Sequence, residues 1–327
     1  PYLKDFSANM AVDFNLQGGE KTGFRFYFGP NHFKTLNSYD KGIDKENQLD
    51  IQKLVPLGWT IFRWVNRVLV IPMFNFFGGF ISNYGIIILL MTIVIKMILF
   101  PLTYKSYMST AKMRVLKPEI DKINEKYPAN KAVERQKATM DLYSRAGVNP
   151  MGGCLPMLLQ MPILFAMFSF FPSSIELRQQ SFLWADDLSS YDSIFNLPFN
   201  IPFYGSHVSL FCLLMTITNL VYTKVNMAAS DTGSQQMPGM KVMMYMMPLM
   251  FLFFFNSYSS GLSYYYFIST LITIGQTYAI RAFVNEEKLL HQLQENKKKP
   301  AKKSGFMARL EAAQKQQMEL QKKKSKK

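Results

Sequence analysis

The sequence predicts an all-α integral membrane protein built on five membrane-spanning helices. Three observations carry this. Apolar residues are gathered into long blocks from which charge is nearly absent. No Asp or Glu lies inside any of those blocks. Lys and Arg collect in the segments that five alternating spans would place on one side. Of the 327 residues 49% are hydrophobic, yet the mean hydropathy is zero, because very apolar and very polar segments average out. A uniform soluble globule and a disordered chain are both excluded by that contrast. Two cysteines, Cys154 and Cys212, both within apolar blocks, exclude a disulfide scaffold and a Cys-rich metal site. The chain opens on Pro1, so an upstream portion is expected.

The first segment, 1–57, alternates. Met10, Val12, Phe14 and Leu16 precede Gly18 and Gly19, and Phe24, Phe26 and Phe28 follow. Period two around a Gly-rich turn predicts a hairpin. A lone hairpin is marginal in water, so it is expected to close a larger β domain; the alternative is a loose apolar-rich tail. In 58–82, Arg63, Asn66 and Arg67 fall at i, i+3 and i+4 of one helical face. A spanning helix would bury two charges at about 2.5–3.5 kcal/mol each, so an amphipathic helix lying in the interface is favoured.

The core, 83–285, contains the five apolar blocks at 84–104, 150–171, 207–222, 242–255 and 262–283. A crossing needs about 20 mostly apolar residues. The last two blocks are joined by SYSSG (257–261), a tight antiparallel turn. Between the first two, 105–147 has Leu116, Ile120, Ile123 and Tyr127 on one stripe. A weaker stripe of Val133, Met140 and Tyr143 follows Pro128 and Asn130. A helical hairpin is expected there. It carries ten basic and five acidic residues, and the tail 286–327 thirteen and five. Segment 1–57 balances seven against seven, and 172–206 has Arg178 against four carboxylates. The hairpin and tail are therefore expected in the cytoplasm, and 1–81 and 172–206 outside. The Lys-rich tail suits nucleic acid, anionic lipid or plain solvent; attraction to an RNA-rich particle such as the ribosome would need only charge.

Lys96 interrupts the apolar run IVIKMIL. One alternative is snorkelling to headgroups roughly 12 Å away. The other is a cation in a wet cavity within the membrane, with no built-in counterion. Thr92 lies one turn earlier on the same face, Gln160 interrupts the second block, and Thr216, Thr218 and Asn219 mark the third. In the last block Tyr266, Thr270 and Thr273 form one stripe, and Ser269, Thr273 and Gln276 another. Such stripes also serve helix packing. Together with Lys96 they define an expected hydrophilic groove of Lys96, Thr92, Gln160, Asn219 and Thr270. The Met-rich run 237–250 fits an adaptable apolar slide or simple lipid contact. No P-loop, dinucleotide-binding Gly motif or HExxH occurs, and no cofactor or metal is expected.

Four stretches carry a family resemblance: NPMGGCLPMLLQMPI (149–163), FPLTYKSYMSTAKMRVLKPEI (100–120), SIELRQQSFLWADDLS (174–189) and SSGLSYYYFIST (259–270). The chain resembles the YidC insertases, the bacterial branch of the Oxa superfamily, from about Ser7 to the basic tail. The resemblance implies a five-helix insertase core, a cytoplasmic helical hairpin at 105–147, and a periplasmic β-sandwich of which 1–57 is the remnant. The family's groove cation, usually Arg, falls on Lys96, which keeps the charge without the guanidinium fork. Substrate-contact positions fall on Thr92, Leu164, Met215, Phe254 and Tyr266, with Tyr265 beside the last. The implied function is non-enzymatic insertion of nascent proteins into the bacterial inner membrane, without nucleotide hydrolysis. Implied partners are nascent membrane proteins, the ribosome through the tail and hairpin, the Sec translocon, the signal recognition particle or its receptor, and membrane lipids. Two other classes remain: a small-anion secondary transporter or channel, and a folding scaffold beside a translocon. Neither an internal repeat nor an even number of spans supports the transporter.

Overall fold

In the computed structural model the described residues are 26–127, 131–149, 152–153, 155–230 and 240–298, with a few isolated ones before 26. Most of the hairpin expected at 10–28, and the tail beyond 298, lie outside them.

Helices α1 (Phe33–Ser38), α2 (Thr60–Val65) and α3 (Ile71–Gly78) precede the long helix α4 (Tyr84–Val115). Then come α5 (Lys117–Lys126), α6 (Ala132–Ala146) and α7 (Leu155–Ser173). A two-stranded antiparallel hairpin, β1 (Phe195–Ile201) and β2 (Gly205–Val208), leads into α8 (Leu210–Ser230). Helices α9 (Met240–Phe255), α10 (Ser260–Phe283) and α11 (Glu286–Lys298) follow. The fold is mostly helical, as expected, but not purely so. The β-hairpin adds to the expected elements, and Pro198 lies inside its first strand. A two-stranded edge tolerates proline, since it needs few ladder donors.

Among the described residues, α4 alone is long and apolar enough to cross a membrane by itself. Helices α10 and α11 pass together but are bent by 73°, and Leu210–Asn226 and Val242–Phe255 are shorter apolar segments. The third block begins later than the expected 207, because His207 belongs to β2 and the helix starts at Leu210. Hydrogen bonds place the helix ends. Ser260 N–H donates to Ser190 and Gly261 N–H to Leu188 at one end, and Arg114 pairs with Glu286 (2.9 Å) at the other. Helix α10 thus begins against the 188–190 loop and ends beside the end of α4.

Helices α2 and α3 are joined by a π-helical turn over Asn66–Val70, just before Pro72. Proline lacks an N–H and crowds the carbonyl four residues back, so an extra residue is absorbed there. The bulge separates the three polar residues expected on one face. Arg63 and Arg67 are exposed, whereas Asn66 is fully buried. Its Nδ2 donates to the carbonyls of Leu57 (3.1 Å) and Ala166 (2.9 Å), tying this helix to α7.

Two apolar cores result. The larger joins α2, α3, α4, α7, α8 and α10 through residues such as Phe74, Ile88, Met167, Phe171, Phe211 and Tyr265. The smaller holds Leu116, Ile120, Tyr143, Ala146, Val148 and Leu293. The expected hairpin is present, with two differences. Its first part continues α4 unbroken to Val115. Its apolar stripe is covered by α11, whose residues were expected to belong to the basic tail.

Candidate functional site: a buried cation between three helices

Helix α4 has two unlike faces around Lys96. Met97 (67% exposed) and Ile98 (55%) point outward, while Thr92, Ile95 and Lys96 (8%) point into the helix cluster. The ammonium therefore does not snorkel along the outer face. Lys96 Nζ donates to Gln160 Oε1 of α7 in a long 3.5 Å contact. The Lys96 carbonyl accepts from Gln276 Nε2 of α10 at 3.4 Å. Pro101, five residues on, removes the N–H that would have reached the Met97 carbonyl, so the α4 ladder is already interrupted nearby. Lys96 has no carboxylate partner among the described residues, and burial is the dominant influence on it.

The surroundings are polar but incompletely satisfied. Gln160 Nε2, Gln276 Oε1, Ser263 Oγ and the hydroxyls of Tyr265 and Tyr266 are buried without a hydrogen-bond partner among the described residues. Buried polar groups are normally paired, and leaving one unpaired costs about 1–3 kcal/mol. Of these, Gln160 and Gln276 touch Lys96 directly, Gln160 at its ammonium and Gln276 at its backbone, each with its other amide atom left unpaired among the described residues.

The expected groove and contact residues are placed unevenly. Lys96, Gln160, Tyr265 and Tyr266 are interior neighbours: the Tyr265 hydroxyl faces Gln160 and Ser269 without making a hydrogen bond to either, and the two tyrosine rings meet at 5.3 Å. Thr92 is fully buried one turn before Lys96, and its hydroxyl donates to the Ile88 carbonyl (2.6 Å). Asn219 is half-buried and bonds within its own helix, Nδ2 to the Met215 carbonyl (2.9 Å). Thr270 and Leu164 are half-buried, and Met215 is buried. Phe254 is 69% exposed on α9, whereas its neighbour Phe255 faces inward with its ring 6.2 Å from Tyr266. Gln276 belonged to a recognised stripe, but its bond to the Lys96 backbone was not legible.

Sequence reasoning missed the side chains that fix the opposite end of the cluster. Asp192, 1% exposed, accepts from Trp184 Nε1 (2.9 Å), from the backbone N–H groups of Leu210 (2.9 Å) and Phe211 (3.1 Å), and from Ser209 Oγ. A carboxylate there satisfies the free donors that begin α8. Asn256, fully buried, donates to the carbonyls of Tyr204 (2.9 Å) and His207 (2.8 Å) and accepts from Ser209 N–H (3.0 Å). The only signal was a lone amide following the apolar run MFLFFF. Close approach also explains Gly152 and Gly153 of the NPMGG stretch. A Cβ on Gly152 would meet Ser109 Oγ at 2.5 Å, and one on Gly153 would meet Thr110 Oγ1 at 3.2 Å.

A mostly helical chain with a buried cation facing α7 and α10 invites comparison with known membrane families, and one matches. The sequence profile of the 60Kd inner membrane protein family covers residues 76–288, and the chain belongs to that family. Among its relatives is the membrane protein insertase YidC of Parabacteroides distasonis, 67% identical over 322 residues, which are 97% of this chain and 51% of the relative. The membrane protein insertase YidC of Bacteroides fragilis is 56% identical over 330 residues, covering 100% and 53%. A solved structure of an active YidC insertase with its first transmembrane domain resolved is 30% identical, with a TM-score of 0.48, covering 66% of this chain and 46% of that one. The chain spans about half the length of the curated relatives it matches.

Proposed function

We propose that the chain is the membrane-embedded part of an insertase that passes nascent membrane proteins into the bacterial inner membrane without nucleotide hydrolysis. Helices α4, α7, α8, α9 and α10 are its five spans. The α5–α6 hairpin and α11 lie in the cytoplasm, with α1–α3 and the β-hairpin outside. The observation that carries the reading is Lys96: a cation on the buried face of an apolar helix, among unpaired polar atoms, without a carboxylate partner among the described residues. The high identity to proteins named YidC insertases supports it.

The mechanism is electrostatic and then hydrophobic. A short hydrophilic segment of the substrate reaches the site, and its carboxylate pairs with Lys96. An ion pair at about 4 Å is worth about 4 kcal/mol at an effective dielectric near 20. Holding one charge at mid-membrane costs about 2.5–3.5 kcal/mol, so one lysine offsets one carboxylate but not several. Gln160 and Gln276 fix the ammonium and its backbone. The unpaired tyrosine hydroxyls and amide atoms hydrogen-bond the extended segment. The apolar part of the substrate then leaves past Leu164, Met215, Tyr266 and Phe254 into lipid, driven by about 25 cal/mol per Å² of apolar surface removed from water. The hairpin and tail receive the ribosome or signal recognition particle, and the translocon assists with larger substrates.

The test is insertion of a substrate with acidic translocated residues into vesicles holding the purified full-length protein. Lys96→Ala is expected to lower it tenfold or more, and Lys96→Arg to restore it. Unchanged insertion by Lys96→Ala would overturn the electrostatic step.

A further inference from the structure

A second basic site lies at the other end of the molecule from the hairpin. A small open cleft lies between α1 with the segment after it and the start of α2, lined by Phe33, Asp50, Gln52, Lys53, Arg63 and Arg67. Lys53 pairs with Asp50, whose carboxyl that bond holds below the ordinary carboxylate range, so this pair is neutral. Arg67 Nη2 reaches only the neutral Asn37 Oδ1 (3.4 Å). The Arg63 side chain has no hydrogen bond or ion pair among the described residues. Asp50 also attracts Arg67 through space, so Lys53, Arg63 and Arg67 against this one carboxylate leave the cleft with an excess of two cations. The buried Gln52 Oε1 beside them is without a partner among the described residues.

An apolar row runs alongside. Trp64 (64% exposed) and Val68 (53%) follow Arg63 and Arg67 by one residue each, and Trp59 (84%) and Ile61 (65%) extend the row at the helix start. Residues four apart share a helix face, so the arginine row and the Trp64–Val68 row are adjacent strips. Tryptophan beside arginine is the composition of a helix at headgroup level. Guanidinium forks match the oxygen geometry of a phosphate.

We propose that the Arg63–Arg67 cleft is a binding site for an anionic phospholipid, its phosphate held by the two guanidinium groups and its acyl chains laid over Trp64 and Val68. This rests on the membrane placement given above but not on the insertase activity. The site would pin α2 and α3 to the leaflet opposite the hairpin, next to the α7 backbone that Asn66 holds. Charge complementarity names the occupant: a zwitterionic lipid neutralises its own phosphate, whereas an anionic one leaves a net charge for two arginines.

The experiment is native mass spectrometry of the full-length protein in detergent, titrated separately with phosphatidylglycerol, phosphatidylcholine and inorganic phosphate. Phosphatidylglycerol is expected to be retained in preference to phosphatidylcholine, and inorganic phosphate not to compete with it. Arg63→Gln and Arg67→Gln should each weaken retention about fivefold, the factor that corresponds to ~1 kcal/mol per cation near an anionic surface. The double Lys variant should keep most of it, and Asp50→Asn should tighten it. Equal retention of both lipids, or full retention by the double Gln variant, would overturn the proposal. So would displacement by inorganic phosphate, which would make the site one for free anions. Lys96→Ala is expected to retain the lipid normally, so failure of insertion and failure of lipid binding are distinguishable.

Discussion

Lys96 is a residue whose chemistry works against the stability of its own fold. A buried ammonium without a counterion is costly, and an apolar side chain of similar length would pack there with less penalty. Lys96→Met is therefore expected to leave the melting temperature in detergent unchanged or raise it, while acidic substrates are inserted poorly. A drop of several degrees would instead mean that the lysine has a structural role. Asn256 is the opposite kind of residue. Its side chain joins β1–β2, the start of α8 and the end of α9. Asn256→Ala strands two carbonyls and one N–H in a buried place and should cost at least about 2 kcal/mol, read as a lowered unfolding temperature. The first residue was legible because a charge inside an apolar run has few explanations. The second was not, because a lone amide after such a run is equally at home in a turn, and its partners lie up to 52 positions away.

At the scale of elements, the amphipathic stripe of 105–147 was legible but its partner was not. Leu293 of α11 is buried in the hairpin's core and Leu289 is buried one turn earlier, with Arg114–Glu286 and Lys297–Glu119 pairs on the same helix. The Lys-rich composition further along hid a two-leucine stripe too short to stand out. Leu293→Ala should remove about 2–4 kcal/mol of packing from the smaller core. Amide exchange should then speed up in α5 and α6 and stay unchanged in α10. Equal acceleration in both would mean that the two cores unfold as one. At the other end, Gly261 lets α10 begin against the loop after α7. An added Cβ would stand 2.9 Å from the Leu188 carbonyl, a backbone atom that cannot step aside cheaply. Gly261→Ala is expected to lower the yield of folded protein.

For the molecule as a whole, the apolar blocks were sufficient to predict a mostly helical fold, and the five alternating spans that the Lys and Arg distribution adds belong to the proposal. The blocks could not set helix ends. The bend at 284–285, the extension of α4 to Val115 and the π-helical turn all depend on contacts between distant segments. Sidedness has a direct test in a background lacking Cys154 and Cys212. A cysteine at exposed Ser193 should label from outside intact cells, and one at exposed Lys122 only after the membrane is opened. Labelling of both from one side would refute the five-span arrangement.

Helix α4 is a single shaft seated in two separate bearings: its first half lies in the larger core with Lys96, and its end leads to Leu116 in the smaller. Twenty residues of helix separate those points, a lever arm of about 30 Å. Tilting it by about 5° around the lysine would carry Leu116 some 2.6 Å sideways. Whatever docks on the hairpin therefore pushes on the same rod that holds the ammonium, and Pro101 is the joint along it where the rod is weakest.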